Sequence, residues 1–291
     1  MRVRGSIPFR ILLWFAGFYV VFGALTQCAS SAVLTGKKTV EEQFENRDPK
    51  PVYYTYEALG RQMQYVQIGD INKPMVVFVH GSPGGWDAYL NYFKDTALTN
   101  HACLVSVDRP GYGGSGAGFA EPSMEAQAAM LLPILKTSKS KHKPILAGHS
   151  LGGPIIARMA MDYPKAMSSL LFLAPSIDPA MEKKEPYRFF LKLGVVQAVM
   201  PKMLVASNLE LMPLKGELDK MLPLWQNIKV PCTIMHGTKD MLVPYGNVAF
   251  YEKMLVNAPK KEVVTFEKEN HFIIWTQFDA VKAKLLEQLN W

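Results

Sequence analysis

Residues 145–153 of this chain read Ile-Leu-Ala-Gly-His-Ser-Leu-Gly-Gly, an apolar run that ends in a turn rich in glycine. Residues 144–147 have the pattern of a strand buried on both faces, and residues 151–163 have the spacing of a helix. The turn between them matches Gly-x-Ser-x-Gly. Its glycines are needed because such a turn is too tight for side chains, whereas the serine is pushed outward above the helix N-terminus. The stretch therefore predicts an accessible Ser150 hydroxyl where negative charge is favoured.

Buried strands and amphipathic helices alternate on both sides of this turn. Short apolar runs predict strands, and runs with helical spacing predict helices. The predicted strands are 61–68, 75–79, 102–107, 144–147, 169–174, 232–235 and 262–266, and the predicted helices are 86–98, 123–136, 151–163, one from about 244, and 276–289. This order predicts an α/β fold in which a mostly parallel central sheet carries helices on both faces.

Residues 177–228 interrupt the alternation. They are rich in Met, Leu and Pro, and residues 187–199 have the pattern of a helix with one apolar face. An insertion of this length between two strands predicts a helical cap over the carboxyl edge of the sheet. Such a cap excludes water, and an apolar cap also shapes a pocket for an acyl or alkyl group.

Motifs at the ends of the predicted strands together resemble those of the α/β-hydrolase fold family. Besides the serine turn, they are His-Gly-Ser-Pro-Gly-Gly at 80–85, Asp-Arg-Pro-Gly-Tyr-Gly-Gly-Ser at 108–115, His-Gly-Thr-Lys-Asp at 236–240 and Asn-His-Phe at 270–272. They are similar to the family's oxyanion loop, its glycine-rich turn, the loop that carries the acid and the loop that carries the histidine. The resemblance covers about residues 53–291 and implies an α/β-hydrolase fold.

The resemblance also implies a catalytic role for each of five residues. Ser150 would attack a carbonyl carbon, His271 would take the serine proton as general base, and Asp240 would orient the histidine and stabilise its charged form. The chain order serine, acid, histidine is the order expected of this fold. The backbone N–H groups of Ser82 and Leu151 would form the oxyanion hole.

Several other polar residues compete for these roles. Asp178 follows the predicted strand 169–174 and is an alternative acid. His80, His149 and His236 each adjoin a motif glycine or serine and are interpreted as loop-packing residues. No His-Glu-x-x-His or Cys-x-x-Cys spacing occurs in the sequence, and its glycines form no phosphate-binding fingerprint, so neither a metal nor a cofactor is predicted.

A serine at this turn favours acyl chemistry, because relatives that open epoxides or remove halide carry a carboxylate there. The predicted activity is hydrolysis of an ester, thioester or lipid, less often an amide, on a small hydrophobic acyl substrate. Loop 80–85 is also similar to that of proline iminopeptidases, although the cap has no acidic cluster to hold a free amine. A non-catalytic, membrane-tethered binding protein on the same scaffold is the alternative from another class. The sequence leaves the natural substrate and the oligomeric state open.

The N-terminus has the pattern of an export or anchoring segment. Three arginines precede the apolar run 11–25, and small or polar residues follow it. Residues 25–28 resemble the lipobox of bacterial lipoproteins, which would make Cys28 a lipidated N-terminus. Cleavage after Ala32 and an uncleaved anchor over 11–34 are the alternatives. We expect residues 1–32 to be a signal peptide or anchor, residues 33–50 a tether, and residues 51–291 a hydrolase domain outside the cytoplasm and associated with the membrane.

Composition excludes several other classes of protein. The 291 residues are 49% apolar and 20% charged, which is unlike a mostly disordered chain or a polytopic membrane protein. The net charge is +7, but three of the basic residues lie in the N-terminal segment and the others are scattered, so no nucleic-acid partner is predicted. Cys103 and Cys232 lie in predicted strands that the fold keeps apart, which predicts buried thiols rather than a disulfide.

Overall fold

A computed structural model describes residues 39–183 and 185–290. The chain divides into two compact units, Met1–Asp48 and Pro49–Trp291. The described part of the first unit holds one helix, α1 (Val40–Phe44), which begins at a capping box: the Thr39 hydroxyl accepts from the Glu42 N–H at 3.2 Å, and the Glu42 carboxylate accepts from the Thr39 N–H at 2.6 Å. This helix lies within the predicted tether. The predicted signal segment, anchor and Cys28 lie outside the described residues.

Within the described residues, eight strands form one sheet. They are β1 (Val52–Ala58), β2 (Arg61–Ile68), β3 (Met75–Val79), β4 (Cys103–Asp108), β5 (Ile145–His149), β6 (Ser169–Leu173), β7 (Cys232–Gly237) and β8 (Lys261–Phe266). Their order across the sheet is β1-β2-β4-β3-β5-β6-β7-β8. The β1–β2 and β2–β4 pairs are antiparallel, and every other pair is parallel. The prediction of an α/β fold with a mostly parallel sheet is confirmed.

Helices connect most of the strands. They are α2 (Leu90–Phe93), α3 (Thr96–Thr99), α4 (Met124–Leu135), α5 (Gly152–Asp162), α6 (Tyr187–Phe190), α7 (Gly194–Gln197), α8 (Lys202–Leu211), α9 (Leu214–Met221), α10 (Asn247–Met254), α11 (Ile273–Thr276) and α12 (Phe278–Gln288), with short 3₁₀ helices at Trp86–Tyr89 and Leu222–Asn227. As predicted, Ser123 caps α4: its hydroxyl accepts from the Ala126 N–H at 3.2 Å. No helix in residues 39–183 or 185–290 has both the length and the apolarity needed to cross a bilayer.

Three elements differ from the predictions. The antiparallel edge strand β1 was not predicted; its outward residues are largely exposed, and it joins β2 through the two-residue turn Leu59–Gly60, both with positive φ. The predicted helix 187–199 is two single turns, α6 and α7, and the second begins at Gly194, a poor helix former. The predicted helix 86–98 is three short pieces, because the Asp95 side chain caps a new turn by accepting from the Leu98 N–H.

The sheet is buried on both faces. On one face Met75, Val77 and Val79 of β3 belong to a continuous core that includes residues of α4 and α5. On the other face the ring of Phe78 stacks on Tyr89 with 4.5 Å between ring centroids. Cys103 on β4 and Cys232 on β7 are separated by three strands, and both are buried free thiols, as predicted.

The parallel strands bring the motif loops to one edge of the sheet. Strands β3, β4, β5, β7 and β8 all end at that edge, and each is followed there by one of the five motifs. This is the edge at which ligands bind in open α/β sheets, because the loops of neighbouring strands surround a common crevice.

Candidate active site

The serine turn joins β5 to α5. Ser150 has a φ of +53°, in the left-handed region, and its N–H donates to the carbonyl of Leu173 on β6 at 2.9 Å. Backbone contacts explain the flanking glycines: a Cβ on Gly148 would lie 2.5 Å from the Gly152 carbonyl oxygen, and a Cβ on Gly152 would lie 2.1 Å from that of Val79. The turn therefore has the tightness that the sequence pattern predicts, and the strain is concentrated at the serine.

Asp240 and His271 form a buried hydrogen-bonded pair. The Nδ1 atom of His271 lies 2.7 Å from Oδ2 of Asp240, and both side chains are almost inaccessible to solvent. The other carboxylate oxygen, Oδ1, accepts from the backbone N–H groups of Leu242 at 2.9 Å and Val243 at 2.7 Å. Both oxygens of the carboxylate are thus held, so the side chain has one orientation. Because the acid is ionised, the proton of the pair is assigned to His271 Nδ1.

Asp178, the alternative acid, lies in a different hydrogen-bonding environment. Its Oδ1 atom accepts from the N–H of Ala180 at 2.8 Å, which closes a local turn. Its own N–H donates to the side chain of Asn247 at 2.9 Å. Of the two candidate acids, the structure brings only Asp240 into hydrogen-bond contact with the histidine.

His236 is a second histidine on the same carboxylate. Its Nε2 atom lies 3.2 Å from Asp240 Oδ2 and 3.0 Å from the Val243 carbonyl oxygen, so this nitrogen faces two acceptors and carries the proton. Burial alone would raise the pKa of Asp240, but hydrogen bonds from His236 and His271 outweigh it and hold the pKa well below its usual range. The interpretation of His236 as a loop-packing residue therefore missed a site residue.

His149 connects the serine turn to the histidine loop. Its Nε2 atom lies 3.0 Å from the carbonyl oxygen of His271, and the two imidazole rings pack with 4.7 Å between centroids. Burial, followed by the nearby His271, lowers the pKa of His149 to about 3, so the ring is neutral at ordinary pH. Ser150 directly follows His149, and this contact therefore brings the serine turn against the histidine loop. Within residues 39–183 and 185–290 the Ser150 hydroxyl has no hydrogen-bond partner.

Loop 80–85 packs against the serine from the β3 side. A Cβ added to Gly81 would lie 2.9 Å from the Cβ of Ser150, so the loop backbone approaches the serine closely. In the part of the chain that the structure describes, the backbone N–H groups of Ser82 and Leu151 donate to no acceptor. The two amides are available to an oxygen atom of a ligand, which is the property an oxyanion hole requires.

The described residues contain no group of three or more His, Cys, Asp or Glu side chains arranged to hold a metal ion. Separately from this, the loops at this edge of the sheet carry the Ser150 hydroxyl, the hydrogen-bonded Asp240–His271 pair and two backbone amides without acceptors among the described residues. These are the groups used for attack on a carbonyl carbon.

Comparisons with known proteins concern the fold and the relatives of the chain. Residues 74–199 match a family model described as the alpha/beta hydrolase fold. The chain is 28% identical over 224 residues to monoacylglycerol lipase abhd6-B of Xenopus laevis, covering 70% of this chain but only 63% of that protein. It is also 27% identical over 143 residues to epoxide hydrolase 4 of Mus musculus, covering 47% of this chain and 39% of that protein.

A solved structure described as a putative aryl esterase from Burkholderia cenocepacia superposes with a TM-score of 0.66 at 19% identity, covering 82% of this chain and 98% of that one. A likeness at this identity concerns the fold. Together with the sheet order and the serine turn, these matches show that the chain has the α/β-hydrolase fold.

Proposed function

We propose that this chain is a serine hydrolase that cleaves a carboxylic ester, or a related acyl bond, of a hydrophobic small molecule through an acyl-enzyme intermediate. The observation that carries the proposal is the 2.7 Å hydrogen bond between Asp240 and His271, formed beside a strained serine turn. A binding protein has no need of an oriented imidazole next to a strained serine, so this pair favours an enzyme.

The reaction follows from the protonation states in the site. His271 carries its proton on Nδ1, so its Nε2 atom has a free lone pair and can take the proton of Ser150 as the hydroxyl oxygen attacks the carbonyl carbon. The negative charge on the carbonyl oxygen would be met by the N–H groups of Ser82 and Leu151. The histidine then gives its proton to the leaving alcohol, and a water molecule activated in the same way releases the acid.

Two other activities of related enzymes fit the site less well. Epoxide opening in this family uses a carboxylate at the turn, where this chain has Ser150. An aminopeptidase needs a free acid to hold the amine of its substrate. Among the described residues, the two buried acids of the cap are already bound, Glu210 by Arg109 and Tyr112, and Glu217 by the Met124 N–H and Lys220. We therefore favour an ester over an epoxide or an amine-bearing amide.

The substrate is proposed to be hydrophobic on two grounds. The Xenopus laevis relative is named as a monoacylglycerol lipase, and the cap of this chain (residues 177–228) is rich in apolar residues. Part of the cap also exposes large apolar side chains to solvent: Phe189 is 70% exposed, Val195 78% and Val199 83%, and the exposed Lys192 lies among them. Apolar side chains with basic neighbours are what a surface needs to contact an anionic bilayer.

Labelling with a fluorophosphonate tests the enzyme proposal. The full-length chain in detergent should be labelled, and Ser150→Ala should lose both the label and ester turnover while keeping its thermal midpoint. Ser176→Ala is the matched control, because Ser176 is a nearby buried serine whose hydroxyl bonds to Glu182. It should label like the wild type. Turnover that survives in Ser150→Ala would show that this serine is not the nucleophile.

We also propose that the protein is exported and held at a membrane by its N-terminal segment. Mass spectrometry of the mature N-terminus separates the three possibilities: a lipid mass on Cys28, a new N-terminus at residue 33, or an intact segment. Loss of the lipid mass in Cys28→Ser would support lipidation, and an intact N-terminal peptide would refute it.

A second experiment tests contact between the cap and a bilayer. Residues 49–291 should bind phosphatidylglycerol vesicles, and the double variant Phe189→Ser with Val195→Ser should bind them less. Equal binding by this variant would refute contact through the cap.

A further inference from the structure

A buried ion pair links the cap to the body of the domain. Arg109 follows β4, and Glu210 lies on the cap helix α8. Their side chains are both fully buried, and the guanidinium binds the carboxylate through two nitrogens, at 2.7 Å and 2.8 Å. A bidentate pair has a defined geometry as well as a favourable energy, so α8 is held at a fixed place against the body. The two residues are 101 positions apart, and no sequence motif joined them.

The same arginine holds the backbone of loop 80–85. Its Nε atom donates to the His80 carbonyl at 2.9 Å, and a terminal nitrogen donates to the Gly81 carbonyl at 2.8 Å. The ring of His80 provides a second donor to the Gly81 carbonyl. Its Nε2 atom accepts from the Arg109 N–H at 3.1 Å, so its proton is on Nδ1, which lies 2.7 Å from the Gly81 carbonyl oxygen.

The Gly81 carbonyl belongs to the peptide group that also contains the Ser82 N–H. In a trans peptide the C=O and N–H bonds point in opposite directions, because the group is planar. Two donors that fix the direction of the Gly81 carbonyl therefore also fix the direction of the Ser82 N–H. This N–H is the donor that loop 80–85 offers to an oxyanion.

A second contact joins the same loop to the cap. The Ser82 hydroxyl lies 2.9 Å from the Ser207 hydroxyl on α8 and 3.1 Å from the Tyr112 hydroxyl. The Tyr112 hydroxyl in turn donates to Glu210 at 2.5 Å. The side chain and the backbone of the loop are thus both held by residues that α8 supports.

We infer that two cap residues are positioning residues for the oxyanion hole: Glu210, acting through Arg109, and Ser207, acting through the Ser82 hydroxyl. The cap helix α8 is then part of the device that orients the Ser82 N–H, in addition to covering the site. This inference rests on the proposed serine-hydrolase function. It assigns α8 a fixed role at the site.

The test compares Glu210→Gln and Ser207→Ala with a matched control, Glu217→Gln. Glu217 is also a buried acid of the cap, but it bonds to the Met124 N–H and to Lys220, away from loop 80–85. Active sites are counted by fluorophosphonate labelling, so that a variant with a smaller folded fraction is not mistaken for a slow one. For each site we measure kcat and KM for p-nitrophenyl hexanoate and Ki for a trifluoromethyl ketone of the same chain length, which forms an oxyanion on the enzyme.

Glu210→Gln should lower kcat per labelled site by about 10²-fold, which is the effect of a small misplacement of a catalytic group. It should raise the Ki of the trifluoromethyl ketone by a similar factor. The KM should stay within about twofold, because the ground-state ester makes little use of an oxyanion donor. Ser207→Ala, which leaves the ion pair intact, should change kcat and Ki in the same direction but less. Glu217→Gln should match the wild type in both.

Two results would overturn the inference. One is that both cap variants keep wild-type kcat and Ki per labelled site; the other is that Glu210→Gln reduces only the number of labelled sites, since that is a purely structural effect. Hydrogen exchange of the peptide spanning loop 80–85 gives a readout that needs no activity. It should speed up in Glu210→Gln but not in Glu217→Gln, and equal exchange in the two would refute the inference even if the wild type proved inactive. An inactive, unlabelled wild type would refute the proposed function instead.

Discussion

Replacing Asp240 by Asn tests the role of the acid, and the structure determines which way the new amide must face. The Oδ1 atom of Asp240 accepts from two backbone N–H groups, those of Leu242 and Val243, whereas Oδ2 faces His271 and His236. The amide keeps both backbone hydrogen bonds only if its oxygen replaces Oδ1. Its NH₂ group then faces His271 Nδ1 and donates to it, so the histidine proton moves to Nε2. A histidine in this tautomer cannot take a proton from the serine.

The size of the effect follows from the opposite orientation, which would keep the productive tautomer. It places the NH₂ group against the N–H groups of Leu242 and Val243 and leaves those donors without acceptors. Each unsatisfied buried donor costs about 1–3 kcal/mol, so the productive orientation is disfavoured by roughly 2–6 kcal/mol. At about 1.4 kcal/mol per factor of ten, kcat should fall between about 30-fold and 10⁴-fold.

The assay is ester turnover per fluorophosphonate-titrated site at pH 7, with thermal unfolding to show that the variant folds. Asp178→Asn is the control, because Asp178 follows β6, closes only a local turn and does not contact His271. It should keep wild-type turnover. A folded Asp240→Asn enzyme with kcat within about threefold of the wild type would refute the orientation argument and the role of the acid.

Three further predictions concern strain, protonation and thiols. In urea unfolding, Ser150→Gly should have a higher free energy of unfolding than Ser150→Ala, by up to about 1 kcal/mol, because glycine tolerates the φ of +53°. Equal free energies would argue against strain at this position. The pKa of His149 is about 3 in the folded protein and 6.5 in the unfolded chain. Between pH 6.5 and pH 3 the unfolded state therefore binds one more proton than the folded state, so the free energy of unfolding decreases as the pH falls through this range. His149→Gln should reduce this slope by up to about 1.4 kcal/mol per pH unit in urea titrations from pH 6.5 to 4, and an unchanged slope would contradict the assignment. Burial raises the pKa of the Cys103 thiol to about 12 and that of Cys232 further, so peptide mapping after N-ethylmaleimide should find both unlabelled until the protein is unfolded; labelling in the native state would contradict their burial.

Local patterns predicted most of the fold. Strands such as β3 and β5 are short apolar runs bounded by turn residues, and helix α4 begins at the serine that the sequence marks as its cap. The edge strand β1 is not an apolar run, because it is largely exposed and, among the described strands, pairs only with β2, and its Val, Tyr and Thr residues were a strand signal that the prediction missed. The prediction of one helix at 187–199 was wrong for the opposite reason. The apolar residues recur with helical spacing, but Gly194 interrupts the segment, and α6 and α7 bury no side chain whose packing would stabilise one continuous helix.

The candidate site was predicted less completely than the fold. The Asp240–His271 pair lies on residues that the sequence singled out, whereas His149 and His236 were interpreted as packing residues only. A histidine beside a glycine looks the same in sequence whether its ring meets a carbonyl or a carboxylate. Which of these it meets depends on loops from other strands, and the 3.2 Å separation of His236 from Asp240 appears only when β7 and its loop are folded.

Short-range patterns predicted the alternation of strands and helices and the serine turn, because tight turns and buried strands restrict the residues within a short window. The resemblance of the loop motifs singled out Ser150, Asp240 and His271 in that chain order. Two other contacts became apparent only in the folded chain: Asp240 rather than Asp178 bonds to the histidine, and Glu210 of the cap meets Arg109. These are contacts between distant parts of the chain. They depend on distances of a few ångströms at the edge of the sheet, and no local pattern of residues encodes such a distance.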